Sequence, residues 1–513
     1  MSGSHDVVVL GAGIEGLCAA ATLARERQKV LVLEAGSSAG GSSAREEFHP
    51  GFFASGLVPD CSLARRSLLA GLGLERFGLQ WRTDEPALLV PDKSGCPLLY
   101  RRDSGAMNGE LPAEERARLT AVQELCARVA PVLEALLDEP PPAIGAPSTQ
   151  ELLALAQKAL RLRRLGKEEM FALARILPSS ARDWMEDALA MPAARVALTA
   201  PALAGTVLGP RAPGTSAFVF LRQALAGPEP RGGNGALVAA LLGLCQSLGV
   251  EVRTGASVRA LHLGANGVST VELARGETLP ATRVLSTLSP GKTLLDLVPA
   301  GSLPNSVERA AQSFRARGST AVLRLALRTR PVFAGRAQDS IEWAVSADDL
   351  LALERAADGL KYGELARAPW VEVRVPSLAD PSCAPPGQAV AIVLCHTVPH
   401  ALAGGWNEAQ RALLARAMLA AFEPLAPGVG ASVIAQELLT PRDIEVRYGT
   451  SGGHVFDGEF ALDQLWLQRP SLALSRYATP ISGLFLGGAG SHPGGPFLGG
   501  AGILAARALL AAG

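Results

Sequence analysis

The sequence predicts an α/β fold built around a dinucleotide-type strand–turn–helix–strand unit. Three observations predict it. Residues 6–10, DVVVL, form a short apolar run that leads at once into Gly11-Ala12-Gly13-Ile14-Glu15-Gly16 and a helix-patterned stretch to Arg27. A second apolar run at 30–33 ends in the acid Glu34. Near the other end of the chain, residues 483–486 read as a further strand, followed by a glycine-rich turn and an apolar helix over 503–512.

Each residue of the first unit has a physical task. Gly11 permits the tight turn, Gly13 lets backbone approach a pyrophosphate, and Gly16 lets helix and strand pack closely. The helix start at Ile14 and Glu15 offers free N–H groups and positive dipole charge to phosphates. Glu34 follows Gly11 by 23 residues, near the expected spacing of about 20 for the acid that binds a ribose hydroxyl. Ala35 continues from it, and the stretch then carries Gly40, Gly41 and Ser42. A glycine pair there suits a loop folded back over a pyrophosphate and flavin; the other reading is a flexible surface loop. The order of these segments resembles FAD-binding proteins of the glutathione-reductase structural class.

The remaining elements follow in order. Residues 110–137 read as a helix stopped by Pro140-Pro141-Pro142, and 142–149 as a linker. Residues 148–208 are helical in pattern and rich in alanine and leucine. Their basic stretch, with Lys158, Arg161, Arg163 and Arg164, is either a solvated helix face or a membrane-surface contact. The segment 230–237 opens a helix to 248. Strands are expected at 250–253, 257–263, 270–273 and 283–287, then at 321–327, 370–375 and 389–395, with a strong helix over 407–422. Strands mixed with helices predict a separate α+β substrate domain.

Composition narrows the class. The chain has 513 residues, 48% hydrophobic and 19% charged, with zero net charge, enough for two or three domain-sized units with a large core. No basic patch with interleaved aromatics points to nucleic acid. The seven cysteines include no CxxC pair, so neither a metal site nor a redox dithiol is expected, and reduced thiols in a cytoplasmic protein fit best. The chain runs directly into its first strand, which leaves no room for a signal peptide. No stretch approaches 18 uncharged apolar residues, the length of a membrane span.

Four segments together resemble the phytoene-desaturase-like FAD-dependent oxidoreductases. They are 11–16 with 34–43, then 230–237, then 452–470 (GGHVFDGEFALDQLWLQRP), then 484–502 (ending SHPGGPFLGGAG). Within these proteins the chain looks closest to the subgroup called pyridine nucleotide-disulfide oxidoreductase domain-containing protein 2. The resemblance implies a glutathione-reductase-type FAD-binding Rossmann domain from 1–75, 230–295 and 475–513. An α+β substrate domain from 76–229 and 296–474 is interleaved with it, with a helical lid around 148–229. It implies Gly11, Gly13 and Gly16 at the pyrophosphate and Glu34 at the adenosine ribose. Gly40, Gly41 and Ser42 would line the diphosphate and ribityl chain, and the Val258 backbone would meet the adenine. The turn carrying Gly488, Gly490, His492, Gly494 and Gly495 would face the flavin.

A flavin supplies hydride chemistry, and the protein supplies geometry and electrostatics. With no second glycine-turn unit for NAD(P)H and no CxxC, the expected reaction is hydride abstraction from carbon of a large apolar substrate, an isoprenoid or natural-product intermediate, with oxygen or a quinone as acceptor. A redox-neutral isomerisation, an amine or amino-acid oxidase and a non-catalytic FAD-binding protein are the alternatives. The low aromatic content, 5%, disfavours the aromatic cage of an amine site. His454, in Ser451-Gly452-Gly453-His454, is the candidate catalytic residue. It could link covalently to flavin, act as acid or base, or only hydrogen-bond its neighbours. Asp457, Glu459 and Asp463 are expected to include a helix N-terminal acid.

Overall fold

The computed structural model describes residues 5–93, 95–102, 111–143, 149–336 and 340–512. At its centre is a five-stranded sheet in the order Leu484–Leu486, Val284–Ser286, Val7–Leu10, Val30–Leu33, Glu251–Arg253, with every neighbouring pair parallel. Parallel strands covered on both faces read as continuous apolar runs, and VVVL and VLVL are buried along their whole length.

Alternation sends successive side chains to opposite faces. Val7, Val9, Val30 and Val32 pack under the helices Ile14–Arg25, Gly233–Ser247 and Gly500–Ala512, through Leu17, Leu241 and Leu504. Val8, Leu10, Leu31 and Leu33 pack on the other side against Leu261 and Val271. Those belong to an antiparallel sheet of Val258–Gly264, Gly267–Leu273 and Thr278–Pro280.

The strand expected at 283–287 does not complete that antiparallel excursion. Val284–Ser286 is inserted into the parallel sheet beside Val7–Leu10, and the last strand pairs with it instead. Its three residues are all buried, which suits a central position rather than a half-exposed meander.

A second, mixed sheet has seven strands: Val433–Leu439, Ala321–Leu327, Ala389–Cys395, Glu372–Arg374, Trp343–Val345, Leu88–Val90 and Leu98–Tyr100. Strands 321–327 and 389–395 keep the bounds their apolar runs predict. The expected 370–375 strand shortens to three residues. Helix Glu408–Phe422 is capped by the Asn407 side chain, which accepts from Gln410 N–H at 2.9 Å. Its Leu414, Met418 and Phe422 cover this sheet.

Helix Ala113–Leu137 runs through Pro131. Of the expected linker, residues 144–148 lie outside the described residues, as does Glu110, the expected helix start. The helices Thr149–Arg164, Lys167–Ile176, Ala181–Ala188, Pro192–Thr199 and Thr215–Leu225 then follow. Their Ile176, Trp184, Val196 and Phe220 pack with Leu88, Val90 and Leu98 at one end of the seven-stranded sheet.

The first and last helices approach closely because Gly502 has no side chain. A Cβ there would lie 2.0 Å from the Glu15 carbonyl oxygen. Gly502→Ala is expected to lower stability by about 1–3 kcal/mol through overpacking. The measurement is the urea midpoint at constant m; an unchanged midpoint would show that this contact has slack.

Candidate cofactor and active site

A cavity of about 380 Å³ lies where the three pieces of the parallel-sheet unit meet. Gly11, Gly13, Ile14 and Glu15 line it, with Glu34, Ala35, Gly40, Gly41, Ser42 and Val258. The sequence-expected residues of the first two segments are therefore brought together, apart from Gly16. That residue packs inside the turn, where a Cβ would lie 1.9 Å from the Gly11 carbonyl oxygen.

The walls follow from local structure. Gly11 has φ of +94°, a conformation that favours glycine. Gly13 caps helix Ile14–Arg25 without any side-chain capping bond, so the first N–H groups are left for a ligand. A Cβ on Gly13 would meet no protein atom within 4 Å, because that direction is open cavity. The Glu34 carboxylate accepts from Ala12 N–H at 2.7 Å and Gly36 N–H at 2.8 Å. Gly40 N–H donates to the Ala12 carbonyl at 2.8 Å, which folds the second glycine loop against the first.

Val58, Asp60, Thr450, Asp457, Ala489, Gly495 and Pro496 also line the cavity. Asn234 and Thr450 line the cavity, and Asn234 Oδ1 and Thr450 Oγ1 are buried with no hydrogen-bond partner. Such orphaned polar atoms call for a ligand's polar groups. An uncapped helix start, a ribose-type acid and buried polar atoms without partners, all lining one cavity, fit a dinucleotide.

Comparison with known proteins agrees with this geometry. The family model described as flavin containing amine oxidoreductase matches residues 16–510. The chain belongs to the flavin-containing amine oxidoreductase family. Its cofactor is FAD, and it is an FAD-dependent oxidoreductase. It is 29% identical to the "Pyridine nucleotide-disulfide oxidoreductase domain-containing protein 2" of Mus musculus, over 98% of this chain and 93% of that one. It is also 29% identical to a lycopene-forming phytoene desaturase of Pseudescherichia vulneris, over 52% of each chain. Among solved structures, an oxidoreductase from Methanosarcina mazei superposes with a TM-score of 0.62 at 16% identity. That match covers 99% of this chain and 100% of the other.

In this flavoprotein the C-terminal glycines divide into two groups. Gly495 lines the cavity. Gly488 and Gly490 instead sit where a Cβ would lie 2.1 Å from the Thr287 carbonyl oxygen and 2.4 Å from Pro290, so they shape the loop. Gly494 lies against Arg469. His492, expected at the flavin, does not line the cavity. It is fully buried beside the Leu136 and Glu139 carbonyls, and burial pushes its pKa down to about 4.

His454 also requires correction. Its Nε2 donates to the Gly205 carbonyl at 2.9 Å, and its Nδ1 accepts from the Phe456 and Gly458 N–H groups at 3.1 and 3.4 Å. Both ring nitrogens are thus used by backbone, and the ring lies outside the cavity lining. Burial pushes its pKa down to about 4. In this structure it organises the loop, the reading in which it only hydrogen-bonds its neighbours. The glycines before it serve packing: Cβ atoms on Gly452 and Gly453 would lie 2.1 and 1.7 Å from the Ala316 and Pro441 carbonyl oxygens.

Of the acids after it, Asp463 lies in the first turn of the short helix Leu462–Gln464, as expected of a helix N-terminal acid, though none of them makes a side-chain capping bond there. Glu459 and Asp463 pair with Arg315, and Glu459 also with Arg317. Asp457 faces the cavity with φ of +48°. Burial pushes its carboxyl up to about 7, although it accepts from Ser451 N–H at 2.8 Å.

A smaller cavity adjoins the first and shares Val58, Asp60, Phe456 and Pro496 with it. Leu63, Phe218, Leu221 and Phe460 give it an apolar wall, and Arg222 and Glu372 a charged one. Asp60 pairs with Arg222 at 2.6 Å, and Glu372 pairs with Arg374 at 3.0 Å and His396 at 3.1 Å. Burial opposes ionisation of Asp60, but the Arg222 and Arg374 guanidiniums hold its carboxyl well below the usual range. Asp60 and Asn234 went unnominated because their partners are remote in sequence.

Two outcomes are expected. Gly13→Val fills the open direction with a branched side chain, so the purified protein should be colourless and should melt lower for want of ligand linkage. The check is the flavin-to-protein absorbance ratio; yellow, fully loaded protein would contradict this placement of the pyrophosphate. Acid precipitation of wild type should leave FAD in the supernatant, since His454 has no free nitrogen. Colour retained in the pellet would overturn that.

Proposed function

We propose that this FAD oxidoreductase is a desaturase or dehydrogenase that removes hydride from a carbon of a mainly apolar substrate. The observation that carries it is the apolar wall of Leu63, Phe218, Leu221 and Phe460 around a small cavity of about 30 Å³ that shares Val58, Phe456 and Pro496 with the cofactor cavity and that a substrate would have to widen. Similarity over half the chain to a phytoene desaturase supports it. The amine-oxidase reading needs an acid free to hold a cation. Asp60 and Glu372, the acids of the smaller cavity, are already paired with arginines.

Bound FAD supplies the hydride-accepting ring. The chain's own residues do the rest. The amides at Gly13, Ile14 and Glu15 hold the diphosphate, and Glu34 holds the ribose. Phe218, Phe456, Phe460 and Leu63 grip an apolar chain and exclude water, with burial contributing about 25 cal/mol per Å². Asp457 is the cavity-lining carboxyl suited to taking the proton from the neighbouring carbon near neutral pH, because a pKa of about 7 balances basicity against protonation. Oxygen or a quinone then reoxidises the enzyme.

The substrate's apolarity supports delivery from a membrane surface. Among the described residues no helix is long and apolar enough to cross a membrane. Leu152, Leu153, Leu155, Leu160 and Phe171 are exposed beside Arg161, Arg163 and Arg164. Lys158 is not part of this rim, since it pairs with Glu139 at 2.8 Å. A basic and apolar helix pair of this kind suits peripheral contact with anionic lipid.

Anaerobic mixing with a panel of polyenes, prenyl compounds, amines and NADPH tests the proposal. An apolar compound should bleach the flavin and yield a product with two fewer hydrogens, while NADPH leaves it oxidised. Bleaching by amines alone would overturn the desaturase reading. Replacing Arg161, Arg163 and Arg164 by Gln should weaken sedimentation with anionic vesicles at low salt without changing FAD content. If wild type does not sediment with them, the membrane contact is wrong.

A further inference from the structure

Arg469 is a fully buried cation that makes no ion pair with a carboxylate among the described residues. Its side chain has no solvent exposure. All five of its N–H donors go to backbone carbonyls: Nε to Ala489 at 3.0 Å, Nη1 to Glu459 at 3.0 Å and Gln464 at 3.1 Å, Nη2 to Ala489 at 2.6 Å and Gly458 at 3.5 Å. Among the described residues no carboxylate makes an ion pair with it. Glu459 turns its carboxylate to Arg317 at 2.5 Å and Arg315 at 3.3 Å, and offers Arg469 only its carbonyl.

The fold goes to some length to place this charge. A Cβ on Gly494 would lie 2.1 Å from Arg469 Nε, and one on Gly458 3.1 Å from Nη2. The two glycines let backbone close around the guanidinium. The loop so held contributes Ala489, Gly495 and Pro496 to the cofactor cavity. On the reading that Glu34 holds the ribose and Gly13 the diphosphate, the flavin ring is placed beside these residues.

Burying an unpaired charge is costly, so its retention calls for a counter-charge that arrives. The reaction of the family supplies one. When a substrate C–H bond breaks and its electron pair moves with hydrogen to neutral oxidised flavin, the ring gains one negative charge, and the substrate's second hydrogen leaves as a proton. We propose that Arg469 is a positioning residue whose buried charge, held one backbone layer behind the Ala489–Gly495 loop, stabilises the anionic reduced flavin and so favours hydride transfer.

The groups around Arg469 offset its charge only in part. His454 and His492 are neutral near pH 7, since burial pushes both down to about 4. Asp457 is the one acid whose charge bears on it, and burial raises that carboxyl to about 7. Burial pushes Arg469 itself down only to about 10, so it stays protonated. The inference rests on FAD binding and hydride acceptance, not on the identity of the substrate.

Two measurements test it, neither of them turnover. In wild-type holoenzyme reduced by dithionite, the reduced flavin should stay anionic to a lower pH than free reduced FAD in the same buffer, followed by its absorbance. A titration matching free FAD would overturn the proposal without any variant. Second, Arg469→Lys keeps the charge, whereas Arg469→Gln keeps polarity without it. A unit charge several ångströms away at an effective dielectric of about 20 is worth more than a tenfold step. Arg469→Gln should therefore weaken binding of reduced relative to oxidised FAD by about tenfold or more, seen as a lowered midpoint potential, while Arg469→Lys stays near wild type. Equal potentials in Gln, Lys and wild-type proteins carrying full FAD would overturn it. Loss of FAD from both variants together with a wild-type titration like that of free FAD would also overturn it. Because the readouts are titration and potential with dithionite, failure of the desaturase reading leaves them untouched.

Discussion

Glu15 and Gly502 are separated by 487 positions, yet the Glu15 carboxylate accepts the Gly499 and Gly502 N–H groups, each at 2.7 Å. The same glutamate's carbonyl oxygen sits where a Cβ of residue 502 would be. One residue of the first glycine turn thereby caps the terminal helix and seats it. The cofactor cavity depends on this contact, because one wall comes from 11–15 and another from 489–498. The contact also has an electrostatic price: burial pushes the Glu15 carboxyl up to about 7, in spite of the two N–H groups that favour its charge.

The second glycine loop is tied to the other sheet by a different device. Arg324 is fully buried in the middle of strand Ala321–Leu327. Its Nη1 reaches Glu46 at 2.9 Å and Glu437 at 3.0 Å, and its Nη2 donates to Tyr448 Oη at 3.0 Å. Tyr448 in turn donates to Glu46 at 2.7 Å and lines the cofactor cavity. The ribbon Arg45–His49/Phe52–Ser55, which follows Ser42, is therefore held against the seven-stranded sheet by satisfied charges rather than by apolar burial alone. Removing Glu46 or Glu437 from this network would leave Arg324 buried with fewer partners for its charge.

The two sides of the site use charge in opposite ways. In the wall of the smaller cavity, Asp60, Arg222 and Glu372, with Arg374 behind them, pair with one another, so that wall is polar but offers little net field. On the cofactor side, Arg469 is satisfied in hydrogen bonds and unsatisfied in charge. Hydrogen-bond completion and charge balance are separate requirements, and only the second is left for a bound group to meet.

By itself the sequence determined the elements whose signals are local. The glycine turn at 11–16, the acid at Glu34, the loop at Gly40 and Gly41, and the runs at 321–327 and 389–395 are each specified by neighbours a few residues away, through φ requirements, helix-start chemistry and burial on both faces. That is why the first two segments meet at the cavity as expected. Only the tertiary structure decided the order of strands, since Val284–Ser286 is too short to declare which sheet it joins. It alone demoted His454, whose nitrogens are taken by Gly205 and by backbone folded round it. Lys158 likewise left the exposed rim once Glu139 came beside it. It alone assembled Asp60 with Arg222 and enclosed Arg469. Burial and partnership are properties of approach between distant segments, and a charge acquires its meaning from whether a counter-charge arrives with it.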